Sequence, residues 1–334
     1  MLLDIIIPQY SENEEKIKPL LDSIINQKNI DFDDIDVTIV NDCSDTILSE
    51  DFIKQYRKMH LIYIKNDKNT GPGLARQKGV DFTDKPYIMF IDADDTLFDD
   101  LVLSKIIGFI KKCYPSYFVT NIASEFQNGD NTDILLLKGR DTFPWMHGKV
   151  YKRSFLKERN IRFSEHIRHL EDGYFTTCVL GNISPNDVIY LDVTTIRWKR
   201  NMESLTRKKE DIPYSVRHFD EIFETPKYTY EYLCSIKSYL RQSYLIMSIF
   251  GIYILLNSNL FDDPKFKDMK EEYNKRLALE YVNKYRNFFI IVSNEKLNEL
   301  YMDQARQLIM RSKVVKIHKD LRDFLVDFDF TNKL

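Results

Sequence analysis

Residues 86–96 read PYIMFIDADDT: Pro86, an unbroken apolar run over Tyr87–Ile91, then Asp92, Asp94 and Asp95 crowded together. An apolar run this short, bounded by proline and by charge, predicts a strand covered on both faces, as in a parallel sheet. Open α/β sheets receive ligands beyond the carboxyl ends of their strands, which is where these acids fall. Three crowded carboxylates there suit a divalent cation that relieves their repulsion. A solvated acidic turn opening the next helix fits the same residues, so the neighbouring sequence has to decide.

Upstream, Leu2–Pro8 is a second continuous apolar run, followed by QYSENEE and then by Ile17, Leu20, Leu21, Ile24 and Ile25 at helical spacing. Asp36–Val40 repeats the strand pattern and stops at Asn41-Asp42-Cys43-Ser44-Asp45, with a helix expected over Ser49–Lys58. Leu61–Lys65 is a third strand, and the loop NDKNTGPG (Asn66–Gly73) leads into a helix bearing Arg76 and Gly79. Four strands alternating with helices predict a doubly wound, mostly parallel sheet with crossover helices, Rossmann-like in class. The glycine loop is neither a Walker A motif nor a GxGxxG fingerprint. Gly71 and Gly73 offer close backbone approach ahead of a helix N-terminus, with Arg76 one turn in as a planar donor for carboxylate or phosphate; a plain loop-to-helix junction explains them equally.

Downstream, a helix is expected over Leu101–Lys112, and a hairpin from Ser116–Phe126 and Asp133–Leu137 turning at Asn128–Asn131. A helix from about Ser154 and a short strand near Val188–Leu191 follow. From about Asp211 the strand alternation stops, and Leu233, Ile236, Leu240, Tyr244 and Met247 recur at three and four. Two domains are therefore expected, a catalytic α/β domain over 1–210 and a helical module over 211–334.

The 48 basic and 51 acidic side chains leave a net charge of −3, so the overall balance attracts neither nucleic acid nor an anionic membrane. Cys43, Cys113, Cys178 and Cys234 form no CxxC pair and no disulfide framework, which suits a reducing compartment. No basic n-region precedes the first strand, so a cytoplasmic location is expected, with peripheral contact to the inner face of a membrane as a variant. The uncharged stretch Gln242–Phe261 is interrupted by Gln242, Ser243, Ser248, Asn257, Ser258 and Asn259; a buried core helix is expected rather than a span.

Taken together, IIIPQYSENE, VNDCSD, NTGPGLARQKG, FIDADD, WMHGKVYKRSFL, LEDGYF and RNMESLTR, in this order, resemble the family-2 glycosyltransferases of the GT-A fold over Leu3–Arg207. The resemblance implies inverting transfer of a sugar from a nucleoside diphosphate donor, a UDP-sugar, to an acceptor hydroxyl of a glycan, polymer or other molecule. It implies that Pro8, Tyr10, Glu12 and Asp42 hold the nucleoside. Asp92-Ala93-Asp94 matches the Asp-x-Asp signature, with Asp94 a ligand of Mn²⁺ or Mg²⁺ and Asp92 facing the ribose or a metal-bound water. Asp172 matches the catalytic base. The chain departs from the pattern at Ser11 and Gln77, where asparagine is usual, and both keep a hydrogen-bonding side chain.

Charge on the departing diphosphate could be met by Arg76, Lys149, Arg200 and Arg207, although Arg207–Lys209 reads equally as a solvated charge run. Asp95 and His147 are further candidates beside the diphosphate. Glu171 could bind an acceptor hydroxyl or cap the helix that starts there. Trp145 and Trp198 read as core or rim before sugar platforms. The helical module is assigned to acceptor specificity, self-association or membrane docking. Two rivals share the central strand. A haloacid-dehalogenase-like phosphatase would use Asp92 as nucleophile, and a silent module would bind sugar nucleotide or glycan without turnover.

Overall fold

The first strand, β1 (Leu3–Gln9), is covered on both faces and has parallel neighbours on both sides, β2 (Ile35–Asn41) and β4 (Tyr87–Phe90). β3 (Leu61–Lys65) extends this parallel set beyond β2. The computed structural model describes residues 2–128, 131–199, 212–311, 314–330 and 333. The chain separates into two compact units, Met1–Arg207 and Lys208–Leu334.

In the first unit, α1 (Glu14–Ile25), α2 (Glu50–Lys54) and α3 (Pro72–Phe82) connect the parallel strands. The side chain of Asn13 accepts from the Lys16 N–H and caps α1, a contact worth about 1 kcal/mol. Ile17, Leu20, Leu21 and Ile24 then enter the same core as Ile5, Ile7, Val37, Ile39 and Met89. On α3, Gly79 allows close approach to β1, because a Cβ there would stand 2.5 Å from Cγ2 of Ile6. Arg76, one turn towards the helix N-terminus, is thereby set near the carboxyl edge of the sheet.

Past β4 the sheet becomes mixed. With β5 (Thr96–Leu97), β6 (Tyr117–Asn128), β7 (Asn131–Leu137), β8 (Lys149–Lys152) and β9 (Ile189–Trp198), its order is β3-β2-β1-β4-β8-β6-β9-β5, and β7 pairs with β6. β8 is antiparallel to both β4 and β6, so the parallel run ends at β4. Sequence reading missed β8, whose apolar signal is only Val150-Tyr151 between lysines. It also saw only the start of β9, because the register with β6 shifts between Thr120 and Ile122 and breaks the alternation. The helices of this half are α4 (Val102–Cys113), α5 (Arg153–Glu158) and α6 (Glu171–Gly181). The helix expected to reach Lys58 ends as α2 at Lys54.

Asp4 is fully buried on β1 opposite Asp36, and its Oδ2 accepts from the Thr38 hydroxyl at 2.9 Å. Burial pushes its pKa up to about 6, against hydrogen bonds from Thr83 and Thr38 that favour the charge. An acid with a raised folded pKa binds more protons folded than unfolded, so stability falls as pH rises from about 4 through 6. Asp4→Asn is accordingly expected to raise stability at pH 7.5 by up to about 3 kcal/mol and to have little effect at pH 4. Thermal melts at the two pH values check this; an equal shift at both would refute the assignment.

The second unit is helical: α7 (Tyr214–Arg217), α8 (Phe219–Ser235), α9 (Arg241–Leu256), α10 (Lys267–Arg276), a π-helical segment Leu277–Val282, α11 (Arg286–Ile291), α12 (Asn294–Arg311) and α13 (Leu321–Asp327). α9 is apolar around its circumference and buried from Ile249 to Leu256, the pattern of a central core helix. Phe250 at its middle meets the rings of Tyr301 and Phe324 with centroids 5.2 and 5.0 Å away. Among the described residues no helix is long and apolar enough to cross a membrane.

Candidate active site

The carboxyl edge of the parallel strands is tied together by side chains at the strand ends. Gln9 Nε2 donates to the carbonyls of Glu12 and Thr46, and Asn41 Nδ2 donates to the Tyr63 hydroxyl at 2.7 Å, which in turn donates to Gln9 Oε1. Tyr10 projects from this edge with half of its surface exposed, and its N–H donates to Glu12 Oε2 at 2.9 Å. Pro8 is the penultimate residue of β1, paired with Val40.

Asp42 follows β2 and is buried. Its carboxylate accepts from the N–H of Gly71 at 2.7 Å, the N–H and hydroxyl of Thr70, and Asn66 Nδ2 at 2.7 Å. Asp42 therefore anchors the glycine loop, and each carboxylate oxygen already has donors. Gly71 adopts φ +86°, a left-handed conformation that leucine or alanine would resist, and starts α3 with Pro72 as its first residue. Polar residues on either side of a Thr-Gly-Pro-Gly turn were the available sign of this anchor; the sequence does not show which acid they surround.

Asp92, Asp94 and Asp95 lie on the tight turn after β4, where the Asp95 N–H donates to the Asp92 carbonyl at 3.1 Å. Arg76 reaches this turn from α3. Its Nη2 donates to Asp92 Oδ1 at 2.6 Å and its Nη1 to Glu171 Oε1 at 2.9 Å. His147, just before β8, has Nε2 3.0 Å from Asp95 Oδ2 and 3.5 Å from Asp92 Oδ2. Its ring stacks on Trp198 at the end of β9, with centroids 5.2 Å apart. Asp95 Oδ1 accepts from the Lys199 N–H at 2.9 Å. The result is a chain of alternating sign, Glu171, Arg76, Asp92, His147 and Asp95, assembled from α6, α3, the acidic turn and the β8 approach.

Asp172, beside Glu171 in the first turn of α6, is close enough for the charges of Arg76, His147 and Asp92 to act on its carboxylate. α6 is held by aromatic packing. Phe175 stacks on Phe163 with centroids 4.2 Å apart and meets Phe90 and Tyr151 edge-on. Sequence reading found the acids by their pattern but not this floor, whose four rings come from four distant segments.

The electrostatics follow from burial against pairing. Burial would raise the Asp92 pKa, but Arg76 and His147 outweigh it and hold that carboxyl well below the usual carboxylate range. A third of its side-chain surface is nevertheless open. Burial would lower the His147 pKa, but hydrogen bonds to Asp92 and Asp95 push it up to about 10. Burial raises Asp95 to about 6 despite His147. Burial and the neighbouring Asp172 raise Glu171 to about 7, with Arg76 opposing, and Asp172 is itself raised by burial.

Asp92, Asp95 and His147 each offer a ligand atom, all within 4.8 Å of one another. The two carboxylates fit Mn²⁺ or Mg²⁺ in donor type, whereas the imidazole of His147, held protonated by those same acids, would have to give up its proton to join them. Asp94 sits half-buried on the same turn, its charge acting on Asp95.

Other residues singled out in the sequence have different surroundings. Arg76, read as a planar donor for carboxylate or phosphate, is buried between two carboxylates, those of Asp92 and Glu171. Lys149 is buried, and its Nζ donates to the carbonyls of Thr142 and Trp145 and to the Thr142 hydroxyl, which fixes the loop ahead of β8. Glu171 is the first residue of α6 and pairs with Arg76 instead of capping the helix. Trp145 packs on Trp198 with centroids 5.1 Å apart. Arg200 and Arg207 lie outside the described residues.

Comparison with known proteins gives this geometry its context. Residues 4–175 match the sequence profile of glycosyl transferase family 2. The poly(ribitol-phosphate) beta-glucosyltransferase of Bacillus spizizenii is 30% identical over 194 residues, which are 53% of this chain and 29% of the relative. The poly(ribitol-phosphate) beta-N-acetylglucosaminyltransferase TarS of Staphylococcus aureus is 28% identical over 195 residues, 53% of this chain and 32% of the relative. The chain thus spans about a third of the length of these curated relatives. The crystal structure of S. aureus TarS 1-349 superposes with a TM-score of 0.66 at 17% identity, covering 92% of this chain and 88% of that one. The same TarS fragment in complex with UDP-GlcNAc superposes with a TM-score of 0.60 at 19% identity, over 99% of this chain and 92% of that one. These superpositions place the architecture in the GT-A fold, and with the match over residues 4–175 the chain belongs to glycosyl transferase family 2.

Proposed function

We propose that this chain transfers a sugar from a UDP-sugar to an acceptor hydroxyl with inversion at the anomeric carbon. The observation that carries the reading is the convergence of Asp172 and the acidic turn of Asp92, Asp94 and Asp95 on one constellation at the carboxyl edge of the sheet. The link between the two is Arg76, which bonds Asp92 on the acidic turn and Glu171, the residue beside Asp172. Support for uridine comes from the relative whose structure contains UDP-GlcNAc. Support for a polyol-phosphate polymer as the acceptor comes from the names of the curated relatives.

In this mechanism Asp172 takes the proton of the acceptor hydroxyl as that oxygen forms its bond to the anomeric carbon. The bond from that carbon to the diphosphate oxygen breaks on the opposite face, and its electron pair leaves with UDP. The inverting glycosidases use the same geometry with water as acceptor. The exposed Tyr10 at the end of β1 offers a face for the nucleobase, and the N-terminus of α3 offers partial positive charge to the diphosphate. Asp94, with Asp92, Asp95 and His147 beside it, would hold Mn²⁺ or Mg²⁺, which when bound stabilises charge on the departing diphosphate. Asp92 is bonded on one oxygen to Arg76 and flanked on the other by His147, an arrangement suited to holding a turn rather than to attacking phosphorus.

The test is a transfer and donor-hydrolysis screen of nucleotide sugars with Mn²⁺, alongside titration of UDP. Turnover of a UDP-sugar is expected. UDP binding with no turnover of any donor would favour the silent module. Chelation of divalent ions is expected to lower turnover by at least roughly 100-fold, with recovery on adding Mn²⁺. Turnover indifferent to chelator would remove the metal from the mechanism, and Asp94→Ala should imitate the chelated state.

A further inference from the structure

We propose that Arg76 and Glu171 are positioning residues, a buried clamp whose single guanidinium fixes the base-bearing turn of α6 relative to the donor-side acidic turn. The proposal rests on the sugar-transfer reading above and assigns a task to two residues that the reading leaves unused.

Three independent features point to it. First, Arg76 uses its two terminal nitrogens on two different elements, Nη2 on Asp92 at 2.6 Å and Nη1 on Glu171 at 2.9 Å. Its side chain is 6% exposed and that of Glu171 13% exposed, so neither has much surface left for a substrate. A planar fork can span two carboxylates in fixed directions, which a lysine ammonium on a flexible stem does not.

Second, space has been cleared for Glu171. A Cβ at Gly73, in the first turn of α3, would stand 2.9 Å from its Cγ and 3.0 Å from its Cβ, with Cδ1 of Phe163 next at 3.2 Å. Gly73 is in ordinary helical backbone, so its lack of a side chain is explained by this approach and not by a turn. Third, Leu170, immediately before the acidic pair, adopts φ +64° with 39% of its surface exposed. A leucine in the left-handed region costs about 1 kcal/mol, and burial of its own side chain does little to offset that here. The chain is bent at that point to deliver Glu171 and Asp172 into the first turn of α6.

Asp172 itself is steadied by the adjacent Gly173 N–H at 2.7 Å, so its direction follows the orientation of that turn. A displacement of about 1 Å at a reacting group costs roughly 100-fold in rate, which is the leverage such a clamp has.

The experiment uses the full chain and reads kcat, donor KM and the Kd of UDP for Glu171→Gln, Glu171→Ala, Gly73→Ala and Asp172→Asn. Glu171→Ala is expected to lower kcat roughly 100-fold while the UDP Kd stays within about threefold. Glu171→Gln, which keeps an acceptor for Nη1, is expected to lose only about tenfold, the weight of a hydrogen bond deprived of its charge. Gly73→Ala leaves every charge in place and is expected to lower kcat in the same selective way by pushing Glu171 aside. If Glu171→Gln is as inactive as Asp172→Asn, Glu171 takes the proton itself and the clamp is overturned. Equal loss of UDP binding and of kcat in Glu171→Ala and Gly73→Ala would also overturn it. If instead the parent chain turns over no donor, or Asp172→Asn keeps full activity, the sugar-transfer reading fails whatever the Glu171 variants do.

Discussion

Asp172→Asn is expected to lower kcat for sugar transfer by about 10³-fold while UDP still binds, because the amide keeps the shape of the carboxylate and cannot take a proton. The position supports this size of effect. Asp172 stands in the first turn of a helix locked by the stacked rings of Phe163 and Phe175, so the asparagine has no reason to move. Steady-state transfer kinetics and UDP calorimetry on both proteins check it. Loss of binding and turnover together would mean that Asp172 belongs to the donor site. The pH dependence has a definite sign. Burial raises Asp172, and burial with the mutual repulsion of the pair raises Glu171 to about 7, so the pair retains a proton to higher pH than ordinary carboxylates. A base works only when deprotonated, so kcat/KM is expected to climb as pH rises through that range. In Asp172→Asn this limb should disappear from the residual rate.

Arg76→Met is the substitution expected to cost most stability. It removes the cation shared by two acids, leaving Asp92 with His147 and Glu171 without its ion-pair partner, and breaking a buried pair this way typically costs 3–5 kcal/mol. The open third of the Asp92 side chain admits water to one of those acids, which places the expectation at about 3 kcal/mol. Arg76 lowers the pKa of Asp92, so its stabilisation is present above the unfolded carboxylate value and fades as pH falls below it. The deficit of Arg76→Met, measured by equilibrium urea unfolding, should therefore be largest near pH 7 and shrink on acidification. A deficit that is constant with pH would assign the loss to packing of the arginine stem. The same variant should move the pH limb of kcat/KM upwards, since Arg76 opposes protonation of both Glu171 and Asp172.

The parallel half of the fold and the acids at its edge could be read in the chain because their signals are local. Tyr87–Ile91 is apolar without a break since both faces of that strand are covered, and the acids follow it directly in sequence. The core helix α9 was legible for a related reason: polar residues interrupt the stretch too often for lipid and too seldom for solvent. What sequence alone could not provide were the pairings. Lys149 and Arg76 could be named as candidate cations, but their partners could not: one bonds the loop ahead of β8 and the other bridges two acids. Asp42 read as a ligand for the nucleobase and is enclosed by the glycine loop. A charged residue shows its sign in the sequence, whereas its partner is selected by folding from distant residues, as Glu171 is for Arg76, 95 positions away. The sequence by itself thus determined the fold class, the family pattern and the chemical character of the edge. Only the tertiary structure decided which charges neutralise one another, because that depends on distances across the sheet that no local pattern encodes.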